Sequence, residues 1–171
     1  MKYALYATLM VTLLYTYTTS PQLPSHIFRG RILTSPTAPW EPGHIIFPLT
    51  QDSIPLEETD KITVDVASPQ HRVFYICYIT GQKSRVYRFP EGTVTDTLVT
   101  IQIPDTSFYE PFAAKKTCPV CLSRKNVIPV LYGFPSPKMF RDADAGKIAL
   151  GGCVIGDYHP TRYCKKDHLE F

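Results

Sequence analysis

Sixteen prolines are spread through this 171-residue chain, and each removes a backbone donor and fixes φ at about −65°. Eleven tyrosines and nine phenylalanines accompany them, side chains that suit a pleated, half-buried surface. The combination predicts short strands joined by Pro-marked turns and argues against a helical bundle. Apolar residues make up 44% of the chain and charged residues 19%, which allows a buried core and excludes an intrinsically disordered polymer. The length fits one ordinary domain, or two small ones behind a targeting segment.

Lys2 precedes an uncharged run, Tyr3 to Tyr17, in the layout of a secretory signal. Seventeen helical residues span roughly 25 Å, slightly short of a hydrocarbon core, so residues 1–20 read as a signal peptide or a membrane anchor. The cleavage region is poor, because Pro21 follows Ser20 and no A-x-A pattern is present. An N-terminal strand rich in Tyr, Thr and Val is the remaining reading. The first two readings imply an exported or membrane-anchored protein with membrane contact through residues 3–19, and the third implies a cytoplasmic one.

Residues 21–58 form a Pro-rich lead-in in which only Ile27–Leu33 and His44–Leu49 look extended. With proline so frequent, these are expected to be edge strands or passing chain. Trp40 lies in a turn-like PTAPWEPG setting and reads as a cap on a small core. The Glu57-Glu58 pair in a polar loop reads as solvated.

A β-rich module is expected over 59–113. Lys61–Ala67 and Thr97–Ile103 alternate apolar and polar residues with the period of a half-buried strand. Arg72–Thr80 is a dense apolar run followed by Gly81-Gln82-Lys83 and Ser84–Phe89, a hairpin in which Gly81 supplies positive φ. Cys77 within that run behaves as a small hydrophobe. His44 and His71 have no acidic or nucleophilic neighbour in a recognisable order. No G-x-S-x-G, H-E-x-x-H or phosphate-cradling motif occurs, so no catalytic residue is named.

Five cysteines are an odd number, so at most four can pair within one chain. Cys118-Pro119-Val120-Cys121 is a C-x-x-C pair, whose two sulfurs can face one point as tetrahedral zinc requires. Thioredoxin-like redox pairs share the spacing, but they open a helix after a strand. Here a strand-like Val127–Tyr132 follows instead. Cys164 and Asp167 repeat the spacing with a carboxylate in the second position, and carboxylate oxygen and the imidazole of His168 both bind zinc.

Residues 118–171 resemble a family of small, largely uncharacterised bacterial zinc-ribbon-like proteins. The motifs are Cys118-Pro119-Val120-Cys121, Tyr132-Gly133-Phe134-Pro135, the run Gly146 to Cys153 (GKIALGGC) and Tyr163-Cys164. The resemblance implies zinc as cofactor and Cys118, Cys121 and Cys164 as ligands. The family's last cysteine falls at Asp167 and its following glycine at His168, so the fourth ligand is Asp167 or, with a shift of the chain, His168 or Cys153. Losing a thiolate weakens a soft-ligand site, and a metal-free ribbon is the opposite limit.

Within this module Ser136 can cap a short helix that begins at Pro137 and ends at Gly146. Met139, Phe140 and Ala143 are expected to pack that helix on a sheet. Asn126–Tyr132, Lys147–Ile155 and Thr161–Cys164 read as strands, with a bulge or close approach at Gly151-Gly152. If the chain is exported, a disulfide from Cys118 or Cys121 to Cys164 would staple the same two turns.

The fold class expected is therefore mainly β: a β-sandwich or small barrel-like module, then a zinc-ribbon-like module at 118–171. The role expected is structural or interaction-mediating, through an unknown protein partner. The alternatives are a zinc-dependent enzyme with an exchangeable fourth ligand, and a thiol redox protein using Cys118 and Cys121. A net charge of +3 argues against a nucleic-acid binder driven by bulk charge. The excess is uneven, however, with ten Lys/Arg and ten Asp/Glu in 1–117 against eight and five in 118–171. Arg124, Lys125, Lys165 and Lys166 are the basic residues nearest the cysteines, but with Tyr163 the one aromatic beside them a nucleic-acid partner is not expected, and the excess charge reads as a solvated surface.

Overall fold

The computed structural model describes residues 26–33, 42–57, 59–92, 98–153 and 159–171. The 1–20 leader, Trp40, Glu58 and the 154–155 end of the expected strand lie outside the described residues. Among those described, eleven strands form three sheets, joined by two α-helices and a 3-10 turn, so the protein is mainly β. No described helix is long and apolar enough to cross a membrane.

The first sheet has β1 (Ile27–Leu33) between β4 (Lys61–Asp65) and β7 (Leu98–Gln102), antiparallel to the former and parallel to the latter. The second has the order β3 (Asp52–Pro55), β2 (Gly43–Phe47), β5 (Val73–Tyr78), β6 (Tyr87–Arg88), all antiparallel. β1 and β2 are thus interior strands, not the edge strands that proline frequency suggested. The reason is local: the prolines flank both segments and none falls within β1 or β2 themselves.

Alternation sets which face meets the core. In β1 Phe28, Gly30 and Ile32 are buried while Arg29, Arg31 and Leu33 are exposed, and β4 buries Ile62 and Val64. These meet Ile45, Phe47, Phe74, Ile76 and Tyr78 of the second sheet in one cluster. Phe28, Phe74 and Tyr87 interlock with centroids 5.3 Å apart. Each such side chain contributes roughly 1.5–3 kcal/mol on burial. Gly30 is required for this fit, since a Cβ there would stand 2.4 Å from Ile101 Cδ1.

β5 is buried on both faces, which explains why its sequence is a continuous apolar run. Phe74, Ile76 and Tyr78 face the sandwich. Val73 and Tyr75 face the other way and join Tyr109, Cys118, Val120, Cys164, Leu169 and Phe171 in a second cluster. The expected hairpin is present, with Gly81 at φ 88° and Tyr78 N–H bonded to the Gln82 carbonyl at 2.9 Å. Beyond it the ladder is irregular, and Ser84 Oγ accepts the Ile76 N–H at 2.9 Å.

A helix, α1 (Thr106–Lys115), connects the two halves where the sequence reading placed none. Asp105 caps it through the Phe108 N–H at 3.2 Å, and Lys116 ends it at φ 54°. Pro111 inside the helix masked it in the sequence. Tyr109 anchors it, its hydroxyl donating to the Ser84 carbonyl at 2.7 Å.

The third sheet has the order β11 (Leu169–Glu170), β10 (Arg162–Cys164), β8 (Val127–Leu131), β9 (Ala149–Leu150). Between β8 and β9 runs the short helix anticipated, α2 (Pro137–Asp144), with Ser136 Oγ accepting the Met139 N–H at 3.3 Å. Its expected packing is not observed: Phe140 is half exposed, and no residue of α2 is buried. β9 is also shorter than expected and ends at Leu150. Gly151 makes a close approach to Tyr132, whose ring would lie 2.4 Å from an added Cβ.

Candidate metal centre

Two tight turns at one end of neighbouring strands build the centre. The first begins at Cys118 just after α1, and closes by Leu122 N–H donating to the Cys118 carbonyl at 2.9 Å. A return bond from Cys118 N–H to the Ser123 carbonyl, 3.0 Å, locks it. The second follows β10 directly, from Cys164 to His168, before the chain turns back into β11. Leu122 and His168, each next after the second donor of its turn, adopt left-handed φ of 56° and 49°. The two turns therefore share a backbone shape, which is why a glycine is favoured at that position. The Cys164–Val127 pairing and a Lys165 N–H to Asn126 carbonyl bond of 2.9 Å hold them side by side.

Four donor atoms converge there. Those of Cys118, Cys121, Cys164 and Asp167 all lie within 4.8 Å of one another. Asp167 Oδ2 is 3.1 Å from the sulfurs of both Cys118 and Cys164, and Cys121 Sγ is 3.9 Å from Cys164 Sγ. The Val120 N–H points at Cys118 Sγ from 3.3 Å. Cys118 and Cys164 are fully buried, Asp167 is 2% exposed and Cys121 is half-buried.

The other fourth-ligand candidates point elsewhere. His168 is exposed, with Nδ1 3.1 Å from Tyr163 Oη. Cys153 is exposed and its sulfur sits 3.8 Å from the Gly133 carbonyl. Cys77 packs on the outer face of β5, where burial raises its thiol pKa.

The electrostatics follow from that burial. Desolvation, then the hydrogen bond to Asp167, pushes the Cys118 thiol far above its ordinary value. The same two causes push Cys164 up to about 11. Burial works against the Asp167 carboxylate too, but hydrogen bonds from Cys121, Cys164 and Cys118 outweigh it and hold the group below the usual range. A buried carboxylate ringed by three thiols is rich in lone pairs and poor in positive charge, so the donor set fits a cation. Sulfurs on a tetrahedral zinc ion would stand about 3.8 Å apart, close to the Cys121–Cys164 separation.

One positioning residue escaped the sequence reading. Arg88, in β6, sends Nη2 to the carbonyls of Pro119, at 3.1 Å, and Val120. It grips the first turn from the sandwich side. No spacing signal connects a strand arginine to a turn some thirty residues later.

Cavities of about 230, 270 and 330 Å³ lie elsewhere, and none is lined by the four donors. Comparison with protein-family models, curated proteins and solved structures finds no match to this chain.

Proposed function

We propose that Cys118, Cys121, Cys164 and Asp167 hold one zinc ion as a structural centre, making 118–171 a zinc-ribbon-like module of a non-catalytic interaction protein. The carrying observation is the meeting of four donors, three of them buried and Cys121 half-buried, from two turns more than forty residues apart. When bound, zinc would supply the positive charge that this donor set lacks and tie the turns together. With all four positions filled by protein, no site remains for an activated water, which disfavours the zinc-enzyme alternative. A redox role for Cys118 and Cys121 needs a depressed thiol pKa, and burial moves Cys118 the opposite way.

Elemental analysis of the purified full chain tests the reading. About one zinc per chain, and a tetrahedral thiolate spectrum after cobalt exchange, are the expected results. Absence of zinc together with an oxidised Cys121–Cys164 pair would replace the metal with a disulfide.

A further inference from the structure

β4 forms one rim of the first sheet: it pairs with β1 on one side, and no described strand pairs with its other side. Which of its backbone groups face that open side follows from the ladder. Ile32 N–H donates to the Asp60 carbonyl at 2.6 Å and Val66 N–H to the His26 carbonyl at 2.7 Å, with Gly30–Ile62 and Phe28–Val64 as the register pairs between them. Bonded pairs in an antiparallel ladder recur at every second residue, so Ile62 and Val64 direct their N–H and C=O groups to β1. Lys61, Thr63 and Asp65 turn theirs outward. The Lys61 N–H is held by Thr59 Oγ1 at 3.1 Å. The N–H groups of Thr63 and Asp65 and the carbonyls of Lys61 and Thr63 remain on the open side.

An edge of this kind pairs with another strand unless something blunts it. β3 is blunted. Leu56 N–H bonds the Gly43 carbonyl at 2.9 Å, so the same count turns Pro55 outward, and proline has no N–H to donate. β4 contains neither proline nor glycine, and its register with β1 is unbroken. It borders a cavity of about 230 Å³ shared with Ile54 and Leu56.

The sequence of the strand, KITVD, complements itself when reversed about Thr63. Lys61 then stands opposite Asp65 of a second copy, and Thr63 opposite Thr63. All three side chains are exposed on one face of the sheet. Among the described residues neither Lys61 nor Asp65 has an ion-pair partner within 4 Å. Opposite charges and paired threonines directly across a ladder are stabilising combinations, and like charges are not.

We infer that β4 is a self-association edge through which two copies of this chain form a twofold dimer. The first sheets then join as one six-stranded sheet in the order β7-β1-β4-β4-β1-β7. Each Thr63 N–H donates to the Thr63 carbonyl of the other copy, and each Asp65 N–H to the other Lys61 carbonyl. The occupant is a second copy because the two charges of β4 answer one another only when the strand meets its own reverse. Twofold pairing uses each open edge once, so assembly stops at two. One strand pair is a small interface, and a dissociation constant above about 1 μM is expected. The inference does not depend on the metal centre, which lies at the third sheet.

Sedimentation velocity of the full chain between ~2 and ~500 μM tests this. Reducing conditions exclude a crosslink through the exposed Cys153. The expected result is a shift from monomer to dimer that goes no further. Lys61→Asp sets carboxylates against each other at both ends of the ladder, and Asp65→Lys sets amines against each other. Each variant alone should dimerise ~10-fold or more weakly, since two opposite-charge contacts become two like-charge ones. Mixed in equal amounts, the two variants present opposite charges again, and dimer should return with the affinity of the unaltered chain. Thr63→Pro removes the central N–H from an edge position, where proline is tolerated, and should abolish the dimer. Circular dichroism checks that each variant keeps its sheets. A chain that stays monomeric, grows beyond two, or dimerises equally well in both charge variants overturns the inference. A mixture no more dimeric than its components overturns it as well.

Discussion

Asp167 is the residue on which the centre turns. Its carboxylate occupies the place where a thiolate would complete a softer set, and its Oδ2 touches two of the sulfurs. Asp167→Cys should therefore tighten zinc binding. Asp167→Asn, which keeps the shape and removes the charge, should weaken it by about 3 kcal/mol, a quarter of the ~10–16 kcal/mol typical of a four-ligand site. Competition with a chromogenic chelator reads both. Proton linkage gives a second prediction. Without metal, Cys164 titrates at about 11 instead of 9.0, so its contribution to stability is complete below pH 9.0 and fades as pH climbs through the folded value. Asp167 behaves oppositely: its contribution holds above pH 3.8 and fades as pH falls through its lowered value. Binding metal requires these thiols to release their protons, so zinc affinity should rise with pH across the neutral range. Calorimetry in buffers of different ionisation enthalpy should show net proton release.

At the level of elements, the strands with strict alternation were readable from sequence. Ile62, Val64 and Ile101 declared their buried face through period two alone. The interior placement of β1 and β2 was not readable, because proline content averaged over the lead-in hides two proline-free segments. α1 was concealed by Pro111, although Asp105 offered a capping signal. The C-x-x-C turn and its Cys164/Asp167 counterpart were visible because donors that converge on one point need a fixed spacing within each turn. Arg88 was invisible because its partners are main-chain carbonyls, which carry no residue identity. Its role is testable: Arg88→Gln removes charge-assisted bonds to Pro119 and Val120 and should destabilise the first turn by about 1–3 kcal/mol. A zinc affinity near tenfold weaker, with the sandwich retaining its near-ultraviolet aromatic signal, is the expected pattern. An unchanged affinity would mean that the turn holds its shape without the sandwich.

Across the whole molecule, β5 is the layer that both cores share. Its Phe74 and Ile76 side belongs to the sandwich, and its Val73 and Tyr75 side belongs to the cluster containing Cys118 and Cys164. The two cores differ in how they are held. The sandwich is packed from aromatic and aliphatic side chains, whereas the second cluster has Cys118 and Cys164, two of the four candidate donors, among its fully buried members. If the four donors hold zinc as proposed, that core would depend on the ion that ties its two turns. Removing metal from protein that held it at a thousandfold excess over its dissociation constant forfeits about 4 kcal/mol. That loss should fall unevenly. Hydrogen exchange after chelation should accelerate in β8, β10, β11 and the C-terminal turn of α1, while β1, β4 and β7 keep their protection. β5 discriminates between outcomes. Its ladder with β2 is buried within the sandwich, so its amides should stay protected even as the Val73–Tyr75 face becomes accessible and binds a hydrophobic dye. If β5 and the first sheet instead exchange together with β8 and β10, the two cores unfold as one cooperative unit, and the metal stabilises the entire fold rather than its final third.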